Sequence, residues 1–258
     1  MRLKDKVAIV TGGGSGLGRA GALALARAGA KVLVSDVSEP GAAETVELIV
    51  RQGGQGQACV ADAGAPSDAE RMVRAAADAF GALHILYNNA GIALPFVDGF
   101  TPAIEPEVWE RVIRVNLSSV FYCSKYAIPA IATAGGGAII NTASSMAHLP
   151  LGGMDGYAAS KGGVAMLTKS MAVGCAMMNI RVNAISPGYV DTPMNAVIWG
   201  NEELKRGFEK GHMNGLQTPE EIADVVVFLA SDAARSLTGA VINCDRGWTA
   251  FKQPDVLR

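Results

Sequence analysis

A tyrosine and a lysine four residues apart, Tyr157 and Lys161, are the residues of this chain best suited to acid–base chemistry. Side chains at this spacing share one face of a helix. A free phenol has a pKa of about 10 and carries protons poorly near neutral pH, whereas a fixed cation beside it favours the phenolate and lowers that pKa. The pair therefore predicts proton transfer by Tyr157. The same spacing also arises by chance on many helices, so the rest of the site has to support the prediction.

A glycine-rich turn follows the first apolar run of the chain. Residues 7–10 resemble a buried strand, residues 11–18 are Thr-Gly-Gly-Gly-Ser-Gly-Leu-Gly, and residues 20–28 form an apolar helical stretch. A strand, a glycine turn and a helix in this order bring backbone N–H groups and a helix N-terminus close to a phosphate. This order predicts a pyrophosphate site, and the alternative is a glycine turn that binds no ligand. Three glycines are expected to shape the turn: Gly12, Gly16 and Gly18.

An acidic residue, Asp36, ends the second predicted strand at residues 31–35. At this distance from the glycine turn, a carboxylate accepts hydrogen bonds from the adenosine ribose of NAD and repels the 2′-phosphate of NADP. The neighbouring Ser15 and Val37 are neutral, so no cation is evident to bind a phosphate. The sequence therefore predicts NAD as cofactor. The alternative role of Asp36 is to cap the turn before Pro40.

These motifs together resemble the short-chain dehydrogenase/reductase family over nearly the whole chain. Ser144 lies thirteen residues before Tyr157 and three after Asn141, as the catalytic serine of the family does, and Ser145 is the less favoured neighbour. The resemblance implies hydride transfer between a nicotinamide and a carbon that bears oxygen. It implies that Tyr157 moves the proton, that Lys161 lowers the pKa of Tyr157 and binds the ribose, and that Ser144 polarises the carbonyl.

The resemblance also implies a role for Asn116, which is expected to support a proton relay through water to Lys161. The structural alternative is an amide that bridges backbone groups inside a long helix. Two departures from the family pattern affect the details of the pocket: Ala63 follows Asp62, and residues 148–150 are His-Leu-Pro. The positions implied to bind the cofactor are Gly12, Ser15, Gly16, Leu17, Gly18, Asp36, Asp62, Asn89, Ala90, Gly91, Tyr157, Lys161, Pro187, Gly188, Val190 and Thr192.

The alternation of strands and helices predicts the fold. Strand-like runs occur near residues 7, 31, 56, 83, 138, 181 and 240, with helical segments between them. This pattern is typical of an α/β, doubly wound Rossmann fold with seven parallel strands, here predicted as a single dinucleotide-binding catalytic domain over residues 1–258. Ligands bind at the carboxyl ends of such strands, so the motifs are expected to meet in one crevice.

The composition argues against several other classes of protein. Lys and Arg number 22 and Asp and Glu 24 among 258 residues, a formal charge of −2, so neither nucleic acid nor an anionic membrane is an expected partner. The four cysteines are far apart and form no CxxC pair, which favours a reduced, cytoplasmic setting. His84 and His212 have no partner pattern, so no metal is predicted.

The substrate is expected to bind beneath residues 189–213, which correspond to a variable lid in the family. With His148, Leu149 and Met154 near the active site, this partly apolar segment favours a small to medium secondary alcohol or ketone, cyclic ones included. His148 is expected either to hydrogen-bond in the pocket or to lie at the surface. The apolar lid residues are Met194, Val197, Ile198 and Trp199.

The family resemblance further implies a homotetramer formed through the two long helices that contain Asn116 and Tyr157. Two alternative functions stay open. A reductase of carrier-bound ketoacyl groups shares these motifs but usually prefers NADPH, which Asp36 disfavours. A nucleotide-binding sensor without catalysis is expected to lack the tyrosine, lysine or serine, all of which are present.

Overall fold

The computed structural model describes residues 3–250, which are built around one sheet of seven strands. Every pair of neighbouring strands is parallel, and the order across the sheet is β3-β2-β1-β4-β5-β6-β7. The predicted doubly wound sheet is therefore confirmed. The two ends of the predicted domain, residues 1–2 and 251–258, lie outside the described residues. The strands are β1 Val7–Thr11, β2 Lys31–Asp36, β3 Gln55–Val60, β4 Ile85–Asn88, β5 Gly137–Thr142, β6 Ile180–Pro187 and β7 Val241–Cys244.

Helices cover both faces of the sheet, which is why the central strands are apolar on both sides. Alternate residues of β1 enter different cores: Ala8 and Val10 pack with one set of helices, and Val7 and Ile9 pack with the other. The helices are α1 Gly16–Arg27, α2 Glu39–Arg51, α3 Pro66–Phe80, α4 Pro106–Ile113, α5 Ser119–Thr133, α6 Asp155–Cys175, α7 Ala196–Trp199, α8 Glu202–Gly211 and α9 Pro219–Ala230.

Small residues let α1 pack closely against the sheet. A Cβ atom at Gly21 would lie 2.6 Å from Cε1 of the buried Tyr87 ring, so the helix can approach β4 only because this residue is glycine. At the start of the same helix, a Cβ at Gly18 would overlap the carbonyl oxygen of Gly12. The glycines therefore hold the first turn of α1 directly against the end of β1.

The segment predicted as a lid, residues 189–213, follows β6 and contains a 3₁₀ turn, α7 and α8. An aromatic cluster links it to the residues after β7: the Phe208 ring lies 5.8 Å from the Trp248 ring, and the Trp199 ring lies 6.2 Å from Phe208. Within residues 3–250, no helix combines the length and the apolar character needed to cross a bilayer.

Candidate active site

A cavity of about 340 Å³ opens at the carboxyl ends of the strands. It brings together most of the residues that the sequence predicted for the site. Gly18 and Asn116 do not line it: Gly18 packs beneath the glycine turn, and Asn116 is fully buried behind the wall. The predicted residues that line the cavity are Gly12, Ser15, Gly16, Leu17, Asp36, Asp62, Asn89, Ala90, Gly91, Ser144, Tyr157, Lys161, Pro187, Gly188, Val190 and Thr192.

Tyr157 and Lys161 lie one turn apart on α6, with the Lys161 Nζ atom 5.7 Å from the centre of the Tyr157 ring. The ammonium group donates a hydrogen bond of 2.8 Å to the carbonyl oxygen of Thr142 at the end of β5. Ser144 follows the same strand and lines the cavity with Tyr157, close enough to lower the pKa of the phenol. The predicted tyrosine, lysine and serine are thus in one place. This arrangement supplies a proton carrier, a cation and a hydroxyl to the same part of the cavity.

Burial dominates the electrostatics of these two groups. It raises the pKa of the Tyr157 phenol above its ordinary value, and the hydrogen bond with Ser144 opposes this only in part. Burial also lowers the pKa of Lys161 to about 8. The expected net lowering of the phenol pKa by Lys161 is therefore not found, because the loss of hydration outweighs the neighbouring groups. Near neutral pH the pair consists of a neutral phenol and an ammonium.

Asn116 lies in a π-helical turn, Arg114–Ser118, which joins α4 to α5. Its side-chain oxygen accepts from the Ile92 backbone N–H at 2.7 Å, and its nitrogen donates to the Ile92 carbonyl oxygen at 2.9 Å and to Ser160 Oγ at 3.2 Å. The amide therefore bridges backbone groups, as the structural alternative expected. Its role in a proton relay stays a prediction. π-Turns of this kind are frequent at functional sites.

The glycine turn leaves its backbone open to a ligand. Gly12 and Gly16 have positive φ angles of 63° and 51°, and a Cβ at Gly12 would lie 2.9 Å from the Ala90 Cα atom. The Asn89 side chain donates to the carbonyl oxygens of Thr11 and Gly12 at 3.1 and 3.2 Å, which ties the turn to the end of β4. A side chain in this turn would fill the space, so these residues fit a dinucleotide phosphate.

Asp36 lines the opposite end of the cavity from Tyr157 and is held by two backbone groups. Its carboxylate accepts from the N–H of Gly14 and from the N–H of Ser38, each at 2.9 Å. The predicted alternative, a cap for the following turn, is therefore present together with exposure to the cavity. The nearby Arg19 guanidinium donates to the Gly14 carbonyl oxygen at 2.5 Å and pairs with Glu44.

Asp62 follows β3 and is also held by local contacts. It accepts from the Gly64 N–H at 2.8 Å and pairs with Arg114 at 2.7 Å. Since Arg114 begins the π-helical turn that contains Asn116, this ion pair links the end of β3 to that turn. Asp62 still reaches the cavity wall, where the resemblance places the adenine end of a cofactor.

A family model described as enoyl-(acyl carrier protein) reductase matches residues 12–249, nearly the whole chain. The chain belongs to the short-chain dehydrogenase/reductase family. It is 43% identical over 250 residues to cyclohexanol dehydrogenase of Acinetobacter sp. (strain SE19), covering 96% of this chain and 97% of that protein. It is 40% identical to cis-4-hydroxycyclohexanecarboxylate dehydrogenase of Sinomonas cyclohexanicum, with coverages of 95% and 97%.

The fold also matches solved structures of this family. The crystal structure of levodione reductase has a TM-score of 0.91 and 33% sequence identity, over 97% of this chain and 100% of that one. Dehydrogenases of the short-chain family use nicotinamide cofactors. The family resemblance predicted from the sequence is therefore confirmed, and the glycine turn and Asp36 line the cavity where a cofactor site is expected.

Sequence reasoning missed Asp98, a fully buried carboxylate in the loop after β4. It accepts hydrogen bonds from the backbone N–H groups of Gly156 at 2.9 Å and Tyr157 at 2.7 Å. Asp98 thus caps the N-terminus of α6, the helix that carries Tyr157 and Lys161. The cap comes from more than fifty residues away, so no local pattern could identify it.

The other end of the cavity is mostly apolar and includes part of the lid. His148 and Leu149, expected near the active site, are exposed and do not line the cavity, although the His148 ring lies 3.2 Å from Ser186 Oγ. The surface alternative therefore describes His148 better. Residues of this end are Pro95, Met146, Met154, Tyr189, Met194 and Ile198.

Metal and disulfide chemistry have no candidate site in the described part of the chain. Between residues 3 and 250, no group of three His, Cys, Asp or Glu side chains is placed to hold a metal ion. The four cysteines are free and buried, as expected for small hydrophobic residues.

Because burial penalises the Lys161 charge, Lys161→Met is expected to stabilise the fold. Burial lowers the pKa of Lys161 from 10.5 to about 8, which destabilises the folded wild-type protein by about 3 kcal/mol near pH 7. The variant avoids this cost but loses the hydrogen bond to Thr142, so its net gain in stability is about 1–2 kcal/mol. The unfolded chain keeps the lysine proton up to its ordinary pKa, so wild-type stability rises relative to the variant between these two values.

Urea unfolding near pH 7 and near pH 10 measures this difference. Lys169→Met, an exposed lysine on the same helix, serves as the control and is expected to change stability little at either pH. A Lys161→Met variant less stable than wild type near pH 7, or a difference that does not shrink as the pH rises, contradicts the prediction.

Proposed function

We propose that this protein is an NAD(H)-dependent oxidoreductase that interconverts a small to medium secondary alcohol and its ketone, with a cyclic carbon skeleton. The observation that carries this proposal is that Tyr157 and Ser144 line one cavity, with the Lys161 ammonium one helical turn from Tyr157. A phenol and a hydroxyl that converge in this way can both contact one carbonyl oxygen.

In the reductive direction, Ser144 donates a hydrogen bond to the carbonyl oxygen and Tyr157 delivers a proton to it as negative charge develops. A bound nicotinamide supplies the hydride. Lys161 stabilises negative charge on the phenol and holds a ribose hydroxyl, and Asn116 supports the transfer of a proton toward Lys161. In the oxidative direction the same groups act in reverse. The raised pKa of Tyr157 keeps its proton in place for reduction near neutral pH.

The substrate class follows from the apolar cavity end and from the relatives. Met146, Met154 and Ile198 give apolar side chains to the cavity that Tyr157 and Ser144 also line, and part of the expected lid, residues 189–198, contributes to the same wall. A ring buries well against such a wall. The relatives named for cyclohexanol and for a hydroxycyclohexane carboxylate act on six-membered rings, which supports an alicyclic substrate.

Asp36 supports NAD over NADP. Its carboxylate faces the cavity, and the guanidinium of Arg19, next to the glycine turn, is bound by the Gly14 carbonyl and Glu44 and does not line the cavity. A 2′-phosphate would therefore meet a negative charge with no available cation among the described cavity residues. The same argument disfavours an NADPH-dependent reductase of carrier-bound ketoacyl groups. A sensor without catalysis does not explain the converging Tyr157, Ser144 and Lys161.

Tyr157→Phe is expected to lower kcat for alcohol oxidation by about a hundred- to ten-thousandfold, because it deletes the proton carrier and leaves the cofactor residues intact. Turnover is followed by nicotinamide absorbance on cyclohexanol and cyclohexanone, and NADH affinity by fluorescence titration. Affinity is expected to stay within about twofold of wild type. Unchanged turnover would refute the role of Tyr157, and turnover of no secondary alcohol or ketone by the wild-type protein would refute the proposed function.

Asp36→Ala is expected to weaken NAD binding by about ten- to hundredfold, because hydrogen bonds to a charged group contribute about this much. The variant is also expected to have a smaller preference for NAD over NADP. Titration with NADH and NADPH measures both affinities. Asp36→Asn keeps an acceptor for the Gly14 N–H without the charge, so it separates loss of loop structure from loss of repulsion. Asp78→Ala, an exposed carboxylate on α3, is the control for net charge. An unaltered NAD preference in both Asp36 variants would show that another residue discriminates the cofactors.

We also propose a homotetramer assembled through α5 and α6. These helices expose large apolar side chains, including Phe121, Met166 and Val173, the last of which is 80% exposed. Sedimentation velocity at micromolar concentration is expected to give the mass of four chains, and Phe121→Glu combined with Met166→Glu is expected to lower it. A wild-type monomer under these conditions would contradict the proposal.

A further inference from the structure

A second phenol, that of Tyr189, lines the same cavity as Tyr157. Tyr189 follows Gly188 directly after β6 and is only 8% exposed. Both tyrosines line this cavity, and Tyr157 contributes to the raised pKa of Tyr189. The mechanism derived above uses one phenol and one hydroxyl, and it gives Tyr189 no function. A polar side chain in the wall of a largely apolar cavity is a candidate to bind a ligand.

His212, the residue after α8, holds the backbone of Tyr189 in place. Its Nε2 atom accepts from the Tyr189 N–H at 3.1 Å, and its Nδ1 atom lies 2.7 Å from the carbonyl oxygen of Phe208. A carbonyl oxygen only accepts, so Nδ1 carries the proton and Nε2 is free to accept. Burial lowers the pKa of His212, which favours this neutral form. One side chain thus links the lid helix to the Tyr189 backbone.

Aromatic packing fixes the ring of Tyr189 from behind. The Phe208 ring lies 4.0 Å away at a tilt of 36°, and the Trp248 ring meets it edge-on at 5.3 Å. Aromatic pairs at such distances stabilise a defined ring orientation. Because both its backbone and its ring are held, Tyr189 presents its hydroxyl from a rigid wall, which is what precise recognition requires.

The Tyr189 hydroxyl is a hydrogen-bond donor at neutral pH. Burial, and then the neighbouring Tyr157, raise the pKa of Tyr189, so the phenol keeps its proton. The carbonyl oxygen that reacts has two lone pairs, and these are already assigned to Tyr157 and Ser144. A third donor in the same space therefore has a different oxygen to bind.

We propose that Tyr189 is a substrate-binding residue, held by His212, that donates a hydrogen bond to a second oxygen substituent on the ring of the substrate. The inference rests on the proposed function and narrows its substrate class to rings that carry two oxygens. The second oxygen belongs to a hydroxyl or keto group rather than a carboxylate: of the described residues that line the cavity, Lys161 is the one cation, and its ammonium is bound to Thr142.

Steady-state kinetics on matched substrates test this inference. For wild type, kcat/KM per reacting carbinol is expected to be about three- to tenfold higher for at least one isomer of cyclohexane-1,2-, 1,3- or 1,4-diol than for cyclohexanol, the value of one neutral hydrogen bond. Tyr189→Phe removes only the hydroxyl and is expected to abolish this preference by raising KM for the diol, with kcat retained. Tyr126→Phe on α5, which does not line the cavity, is the matched control and is expected to keep the preference.

Several outcomes overturn the inference. A wild-type protein that oxidises cyclohexanol but prefers no diol isomer overturns it and leaves the proposed function intact. The same holds if Tyr189→Phe slows both substrates equally, since the hydroxyl would then act on the reacting oxygen. Turnover of no alcohol at all overturns the proposed function and this inference with it.

Two variants of His212 test its positioning role. His212→Gln keeps an acceptor near the Nε2 position and is expected to retain the diol preference. In the wild-type protein the His212 ring stacks on the Trp248 ring at 4.8 Å. His212→Phe keeps a ring for this stacking but loses both hydrogen bonds of the imidazole. His212→Phe is expected to raise KM for the diol more than for cyclohexanol, with kcat within about twofold of wild type. An equal diol preference in His212→Phe and wild type would overturn the assignment of His212.

Discussion

The parallel pairing of all seven strands is the constraint on which the site depends. In a parallel sheet the carboxyl ends of the strands meet at one edge, and each strand there can deliver a residue to the same crevice. β1 ends in the glycine turn, β2 in Asp36, β4 in Asn89 and its neighbours, β5 in Ser144 and β6 in Pro187 and Gly188. Residues more than 150 positions apart in the chain therefore line one cavity. An antiparallel strand in the centre would carry its terminal residue to the opposite edge.

A buried polar network then holds α6, the helix of Tyr157 and Lys161, against this edge. The Asn88 side chain donates to Asn141 Oδ1 at 2.9 Å and to Ser124 Oγ at 3.1 Å, and Asn141 donates to Thr168 Oγ1 at 2.9 Å. These four residues belong to β4, β5, α5 and α6, and all are buried. A slip of α6 by one residue would take Thr168 away from the buried Asn141 amide, at a cost of about 1–3 kcal/mol. The network thus determines where Tyr157 lies relative to Ser144.

The parts of the fold and site that could be predicted are those encoded by contiguous residues. The period of apolar residues predicted every strand, and the glycine turn shows locally because Gly12, Gly16 and Gly18 each meet a separate steric limit. Contacts across the chain could not be predicted in the same way. Asp98 caps α6 from a distant loop, and the amide of Asn116 is engaged by the Ile92 backbone.

The electrostatics of the site were also beyond local reasoning, because spacing on a helix gives neighbours but not hydration. The sequence places Lys161 beside Tyr157, which by itself lowers the phenol pKa, yet burial moves it in the other direction. The exposure of His148 could likewise not be derived from its local sequence. Its position near Ser144 in the chain is compatible with a pocket role and with a surface position, and the structure places it at the exposed surface, with its ring 3.2 Å from Ser186 Oγ.

In the mechanism proposed above, burial also determines for which direction of the reaction the proton is in place near neutral pH. Near neutral pH, a neutral Tyr157 and a charged Lys161 are the stable forms, since the pKa of the phenol is raised and that of the amine is about 8. The proton that ketone reduction consumes is therefore already on the phenol. Alcohol oxidation needs the phenolate. Its formation depends on stabilisation by the Lys161 cation and on release of the phenol proton to solvent. A higher pH favours this release, but it also removes the proton of Lys161 and with it the cation that stabilises the phenolate. The buried lysine therefore limits the alkaline range in which the tyrosine can act as a base.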